Sequence, residues 1–198
     1  MKSGVKMLFT SDVEASLRQA TVLVNTLPVH DPDGVDSLST TDDLDVFLAE
    51  FPTQGSRDDP DRELVRMRSL RRHLRRLWEV ESEDEAVEIV NEMLRRGRAL
   101  PQLQRHDDYG WHIHAASDDD PLWSRTEVDV AMAFVELLRA DEFERVKRCV
   151  AEDCEAVLID LSRNRSKQYC DTGNCGNRTN VRAYRARQAE TQAIDLPG

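Results

Sequence analysis

The sequence predicts a mostly α protein of the α+β class. It has a helical N-terminal domain holding one β-hairpin, and then a small C-terminal treble-clef-like module of knuckle, hairpin and helix. Three observations carry this. Apolar residues recur at helical spacing in five stretches between positions 11 and 139. One stretch, Leu100 to Ala115, alternates with period two around a turn. All four cysteines of the 198 residues fall between positions 149 and 175.

At 198 residues the chain can hold one larger domain plus a small module. Apolar residues make up 39% and charged residues 33%, as in a soluble globular protein. No apolar run is long enough to span a bilayer, and the N-terminus carries no apolar stretch of the signal-peptide kind. The expected location is therefore the cytoplasm. Domain limits are expected at 1–143 for the helical part, 144–190 for the cysteine module and 191–198 for a flexible tail.

In chain order, Met7-Leu8-Phe9 is short and apolar, and Ser11-Asp-Val-Glu14 has the pattern of a capping box. The helix behind it presents Leu17, Ala20, Val24 and Leu27 and ends before Pro28. His30 to Ser37 reads as a solvated loop. Its three aspartates are too closely spaced for a calcium loop, and no glutamate closes them. Thr41-Asp-Asp-Leu begins a helix with Leu44, Phe47, Leu48 and Phe51 on one side. Asp59-Pro60 caps a longer one reaching about Glu79. That helix alternates core positions (Leu64, Met67, Leu70, Leu74, Leu77, Trp78) with seven arginines between Arg62 and Arg76. The arginines read as a face neutralised by nearby acids, against the sharper reading of a phosphate-binding surface.

Ser82-Glu-Asp-Glu85 caps the next helix, which uses Ala86, Ile89, Val90 and Met93 and stops at Gly97. In the hairpin that follows, Trp111 and Ile113 are expected to face the core and His112 and His114 the other side. His106 across the turn could join them in a second metal site, although exposed strand histidines are the commoner case. A helix from Ser124 to about Arg139 buries Val128, Ala131, Phe134, Val135 and Leu138. Asp141 to Arg148 should form a short helical turn, with Phe143 and Val146 pressing it onto the body. No Gly/Ser linker follows, so the last module is expected to be docked.

The cysteines read C-x4-C-x15-C-x4-C, as Cys149, Cys154, Cys170 and Cys175. Four thiolates complete the tetrahedral shell of one structural zinc and leave no open position. Two disulfides are the alternative, which a reducing compartment disfavours. Val157, Leu158, Ile159 and Leu161 are strand formers, Ser162 to Ser166 is a basic turn, and Lys167-Gln-Tyr169 is the expected return strand. A helix follows Cys175. On it Arg178, Arg182 and Arg185 share a face, and Val181 and Tyr184 can pack on the hairpin.

Cys175-Gly-Asn-Arg178, with Ser162-Arg-Asn-Arg165 before it and Val181-Arg-Ala-Tyr-Arg-Ala-Arg187 after it, resembles the CGNR zinc finger. That module closes bacterial ABATE-domain proteins, which are proposed stress-induced transcription regulators. Val24-Asn-Thr-Leu27 is similar to an element near the start of ABATE domains, and the order of elements matches loosely. The resemblance implies zinc on the four cysteines and DNA binding through the basic positions. Leu158 departs from it, since an aromatic is expected there.

The net charge of −11 is unevenly spread: residues 160–188 carry seven Lys or Arg against two acids, a net +5, which leaves −16 on the rest. Arg163, Asn164, Arg165, Lys167, Arg178, Arg182 and Arg185 are the expected DNA contacts. The helical domain would sense a signal, a small molecule or a protein, and a homodimer would help specific recognition. The alternative is a protein-interaction module whose arginines meet an acidic protein or the chain's own body. RNA binding is weaker, with only Tyr169 and Tyr184 to stack on bases. No G-x-S-x-G, P-loop, H-E-x-x-H or G-x-G-x-x-G is present, so no catalysis is expected.

Overall fold

Helix α5 (Leu122–Arg139) has side chains buried on nearly every side, from Leu122 through Ala131 and Phe134 to Leu137. The rest of the domain is packed around it. The computed structural model describes residues 9–31, 33–53, 55–105 and 111–194. Helices α1 (Ser11–Asn25), α3 (Pro60–Arg75) and α4 (Glu83–Arg96) contact α5, and α2 (Thr41–Glu50) packs on α3. The apolar positions chosen by periodicity fill the core: Leu17, Ala20, Val24, Leu44, Met67, Leu74, Leu77, Met93 and Phe134 are buried. Helix α3 passes into a 3-10 turn at Arg76–Trp78, so the predicted span to Glu79 is close. No described helix is long and apolar enough to cross a membrane.

Capping differs in detail from the sequence pattern. Ser11 lies inside α1, and Thr10 occupies the cap without a side-chain cap bond, so the box expected at Ser11–Glu14 does not form. A full reciprocal box forms between Thr40 and Asp43. Ser82 accepts from the Glu85 amide, but the Glu85 carboxylate takes the N–H of Glu81.

The predicted loop and the arginine face are tied to each other. Asp31 folds the loop by accepting from the amides of Asp33 and Val35. Asp36 grips the buried Arg71 at 2.5 and 2.7 Å and also reaches Arg68. Arg75 pairs with Glu79 and Arg76 with Glu92, while Arg66 lies 5.8 Å above the Trp123 ring. Arg68, Arg71, Arg75 and Arg76 are thus neutralised by the chain's own acids.

The hairpin is β1 (Gln102–Arg105) against β2 (Trp111–His114), antiparallel, with Leu103 opposite Ile113 and Arg105 opposite Trp111. It turns the other way from the expectation. Trp111 is 69% and Ile113 44% exposed, while His112 and His114 are half-buried. Alternation determines which residues share a face but not which face the body takes, and the helices already fill the core. His112 and His114 meet with their Nε2 atoms 2.8 Å apart. His106 lies outside the described residues, and among those residues the four cysteines are the one group arranged to hold a metal.

Of residues 141–148, only Phe143–Arg145 form a short helical turn. A 3-10 turn at Phe143–Arg145 leads into β3 (Val146–Arg148), which pairs antiparallel with β4 (Val157–Ile159). The hairpin of the module therefore brackets the first cysteine pair. Lys167-Gln-Tyr169 is not a strand and contributes a single ladder-like bond, from the Val150 amide to the Gln168 carbonyl. The β-branched run at 157–159 did predict a strand, but the choice of partner depended on docking.

That docking is direct. Val157 and Ile159 enter the helical core, while Leu158 points into the cysteine cluster. The Asn25 amide donates to the Val157 carbonyl and its oxygen accepts the Val157 N–H, both at 2.9 Å. Trp78 Nε1 donates to the Leu158 carbonyl at 3.0 Å. Phe143 and Val146 pack on the same core, as predicted. Beside this seam, His30 is buried with its Nε2 2.6 Å from Arg75, which also approaches Glu155.

Two outcomes follow. Asn25→Ala strands both backbone groups of Val157 and should cost about 1–3 kcal/mol in urea unfolding. Burial first, and then Arg75, hold the His30 pKa down to about 4. Neutral His30 thus stabilises the fold fully above its unfolded pKa of about 6.5, and this stability is lost as pH falls toward 4. The loss is about 2–3 kcal/mol and should be absent in His30→Gln when denaturation is compared at pH values across that window.

Candidate metal centre

The four cysteines reach one point from three directions. Cys149 follows β3, Cys154 ends the first knuckle, Cys170 closes the basic turn, and Cys175 is the first residue of α6 (Cys175–Ile194). The knuckle closes through the Cys154 N–H to the Ala151 carbonyl and the Cys149 N–H to the Ala156 carbonyl. Asn174 takes positive φ, so that the chain turns directly into α6. A Cβ at Gly176 would sit 3.2 Å from the Tyr169 ring, which packs on the cluster, and would push that ring by a few tenths of an ångström.

Cys149, Cys170 and Cys175 are buried, Cys154 is half-buried, and all four are free thiols. Their sulfurs lie within 4.8 Å of one another. Cys154 to Cys170 is 3.7 Å and Cys170 to Cys175 is 3.6 Å. A tetrahedron with bonds of about 2.3 Å to zinc has edges of about 3.8 Å, so this donor set fits. A disulfide needs its sulfurs about 2.05 Å apart and does not fit.

Electrostatics point the same way. Burial pushes the thiols of Cys154 and Cys175 up, the latter to about 11. Burial also works against ionisation of Cys170, but hydrogen bonds from the Thr172 side chain and from the Gly173 and Thr172 amides bring it down to about 7. Crowded, dehydrated sulfurs cannot all ionise beside one another, and a divalent cation removes that conflict. The four cysteines are able to hold one metal ion here with a complete shell of thiolates.

Leu158, at the position where an aromatic was expected, is 1% exposed and packs on the cluster. Arg178 donates to Cys175 Sγ at 3.4 Å and to Asp153 at 3.0 Å. It thus supports a ligand and ties α6 to the knuckle. Arg182 continues the tie, to Glu152 and Asp153. Arg178, Val181, Arg182 and Arg185 line a shallow groove of about 340 Å³ with Asn177. Val181 and Tyr184 are exposed instead of packing on the hairpin, because Tyr169 already covers the cluster.

In the basic turn, Arg165 pairs with Glu142 and Glu144, Lys167 with Asp171, and Asn164 accepts from Ser166. Among the described residues Arg163 and Arg185 form no ion pair, and both are exposed. Sequence reasoning missed Asp160, which shapes this turn. It is fully buried and accepts from Ser162, the Lys167 amide and Lys147. Burial opposes its charge, but those donors hold its pKa at about 2. Asp160-Leu-Ser162 is an Asx-turn pattern, which was the available signal. Helix α6 continues to Ile194, four residues into the stretch expected as a tail.

A family model described as "Putative stress-induced transcription regulator", the ABATE model, matches residues 17–141. A CGNR zinc-finger model matches residues 145–188. No curated protein matches the chain.

Purified protein should contain one zinc per chain by elemental analysis. Cys175→Ser should lower that content to near zero and unfold residues around β4 and α6, read as loss of amide protection there.

Proposed function

The chain belongs to the ABATE family and ends in a CGNR zinc finger; from that premise we propose a cytoplasmic bacterial transcription regulator that binds DNA through the zinc-stabilised module. The helical domain senses a signal or binds a partner, and no catalytic step is involved. The observation that carries the reading is the cationic groove on the first turns of α6, placed there by Cys175. Arg182 and Arg185 would meet phosphates, with Arg163 and Lys167 from the turn, and Asn164, whose oxygen accepts from Ser166, would offer its amide N–H to a base edge. Most such contacts position a protein on the backbone without reading sequence. Because β4 is shared by both cores, a signal that shifts α1 or the Arg76–Trp78 turn would move the zinc module with it.

A second reading is favoured by one set of contacts: Arg165, Lys167, Arg178 and Arg182 are engaged by the chain's own acids. In it the zinc only folds the tail, and the arginines contact the chain itself or an acidic protein. The readings separate on Glu152→Gln with Asp153→Asn, which frees Arg182 and also releases Arg178 from Asp153. DNA binding should then tighten several-fold. Unchanged absence of binding, with zinc retained, favours the interaction module.

Genome-wide mapping of bound sites should give peaks that vanish in Arg182→Ala with Arg185→Ala. In vitro, about four neutralised phosphates give a slope of log K against log salt of roughly −3.6, which Arg185→Ala should reduce by about 0.9. A slope near zero, or no peaks, would defeat the DNA-binding reading.

A further inference from the structure

The β1–β2 hairpin is a ribbon with one uncovered apolar face. Leu103 is 68% exposed and lies opposite Ile113, with Trp111 beside them on the same face. Leu100, just before β1, is also 68% exposed. All four residues of β1 are exposed, and both outer strand edges lack a strand partner among the described residues. A two-stranded ribbon alone is marginal in water and gains stability when its apolar face is packed. A tryptophan held this far in solvent forfeits the burial that an aromatic normally contributes.

We infer that this ribbon is a dimerisation arm, and that the apolar face of Leu103, Trp111 and Ile113 packs on the same face of a second copy of this chain. Charge selects the occupant. Each copy carries −11, with 38 acids in 198 residues, so two copies repel over most of their surface. Neither strand contains an acid; the one charged residue on this face is Arg105, opposite Trp111, and the nearest acids in sequence are Asp107 and Asp108, between the two strands. An oppositely charged partner would be drawn to the acidic surfaces, whereas a like-charged copy can approach where acids are missing.

Area agrees with this choice. The three side chains expose roughly 350–400 Å² per copy, so burying two such faces with a polar rim reaches about 1,000 Å², the size of a weak, reversible contact. A two-fold axis makes the contact self-complementary, with Trp111 of one copy over the Leu103–Ile113 pair of the other. The half-buried His112 and His114 lie on the opposite face and stay outside the contact.

The inference does not depend on DNA binding. Sedimentation equilibrium of the full zinc-loaded chain across micromolar concentrations should show a monomer–dimer equilibrium. It should tighten with salt, because apolar contact persists while like-charge repulsion is screened. Trp111→Glu and, separately, the milder Leu103→Gln should weaken dimerisation by about tenfold or more, with helical circular dichroism and zinc content unchanged. A wild-type chain that stays monomeric at high micromolar concentration would overturn the inference. So would a dimer that both variants leave intact.

Discussion

The structure depends on a three-residue strand that belongs to two cores at once. Strand period sends Val157 and Ile159 into the helical body and Leu158 into the sulfur cluster. Asn25 and Trp78 satisfy backbone groups on that strand, so the zinc module is held by directional bonds as well as by apolar contact. A buried backbone group left without a partner is costly, and this makes the docking specific in register. The module is thus part of the body, and the metal site braces a wall of the larger core.

Charge is arranged around that joint. The acidic excess is partly spent locally: Asp36 holds Arg71, Glu152 and Asp153 hold Arg182, and Glu142 holds both Arg145 and Arg165. Arg71 and Arg145 are buried, but the exposed pairs of Arg165 and Arg182 are individually weak and exchange readily with another anion. The basic turn and the start of α6 can therefore be internally neutralised in the free protein and still be open to competition from a polyanion. Arg178 is different, because its contact with Cys175 Sγ gives it a part in the metal site as well as in the groove.

Much of this was legible in the linear order of residues. The helices followed from apolar spacing, and Leu17, Met67, Phe134 and their neighbours were placed correctly. The grouping of the four cysteines followed from their spacing and from the lack of any other cysteine. The misjudged features share a cause. The return strand was sought after the basic turn because neighbours in sequence pair easily, but β3 lay on the other side of the knuckle. Trp111 was sent inward because of its type, although the core was already closed by α5 and its neighbours. Asp160 looked like one acid among 38, and its worth came from four donors that converge on it.

The sequence by itself determined what is local: which stretches are helical, which residues share a face, and that the four cysteines form one set. Such properties depend on backbone period and on the chemistry of sulfur, which need no knowledge of the rest of the chain. The tertiary structure alone decided which face of a ribbon points outward, which strand pairs with which, and which arginines are occupied. Those depend on which surfaces remain after the larger core has closed, and that is a competition among distant segments that no local pattern records.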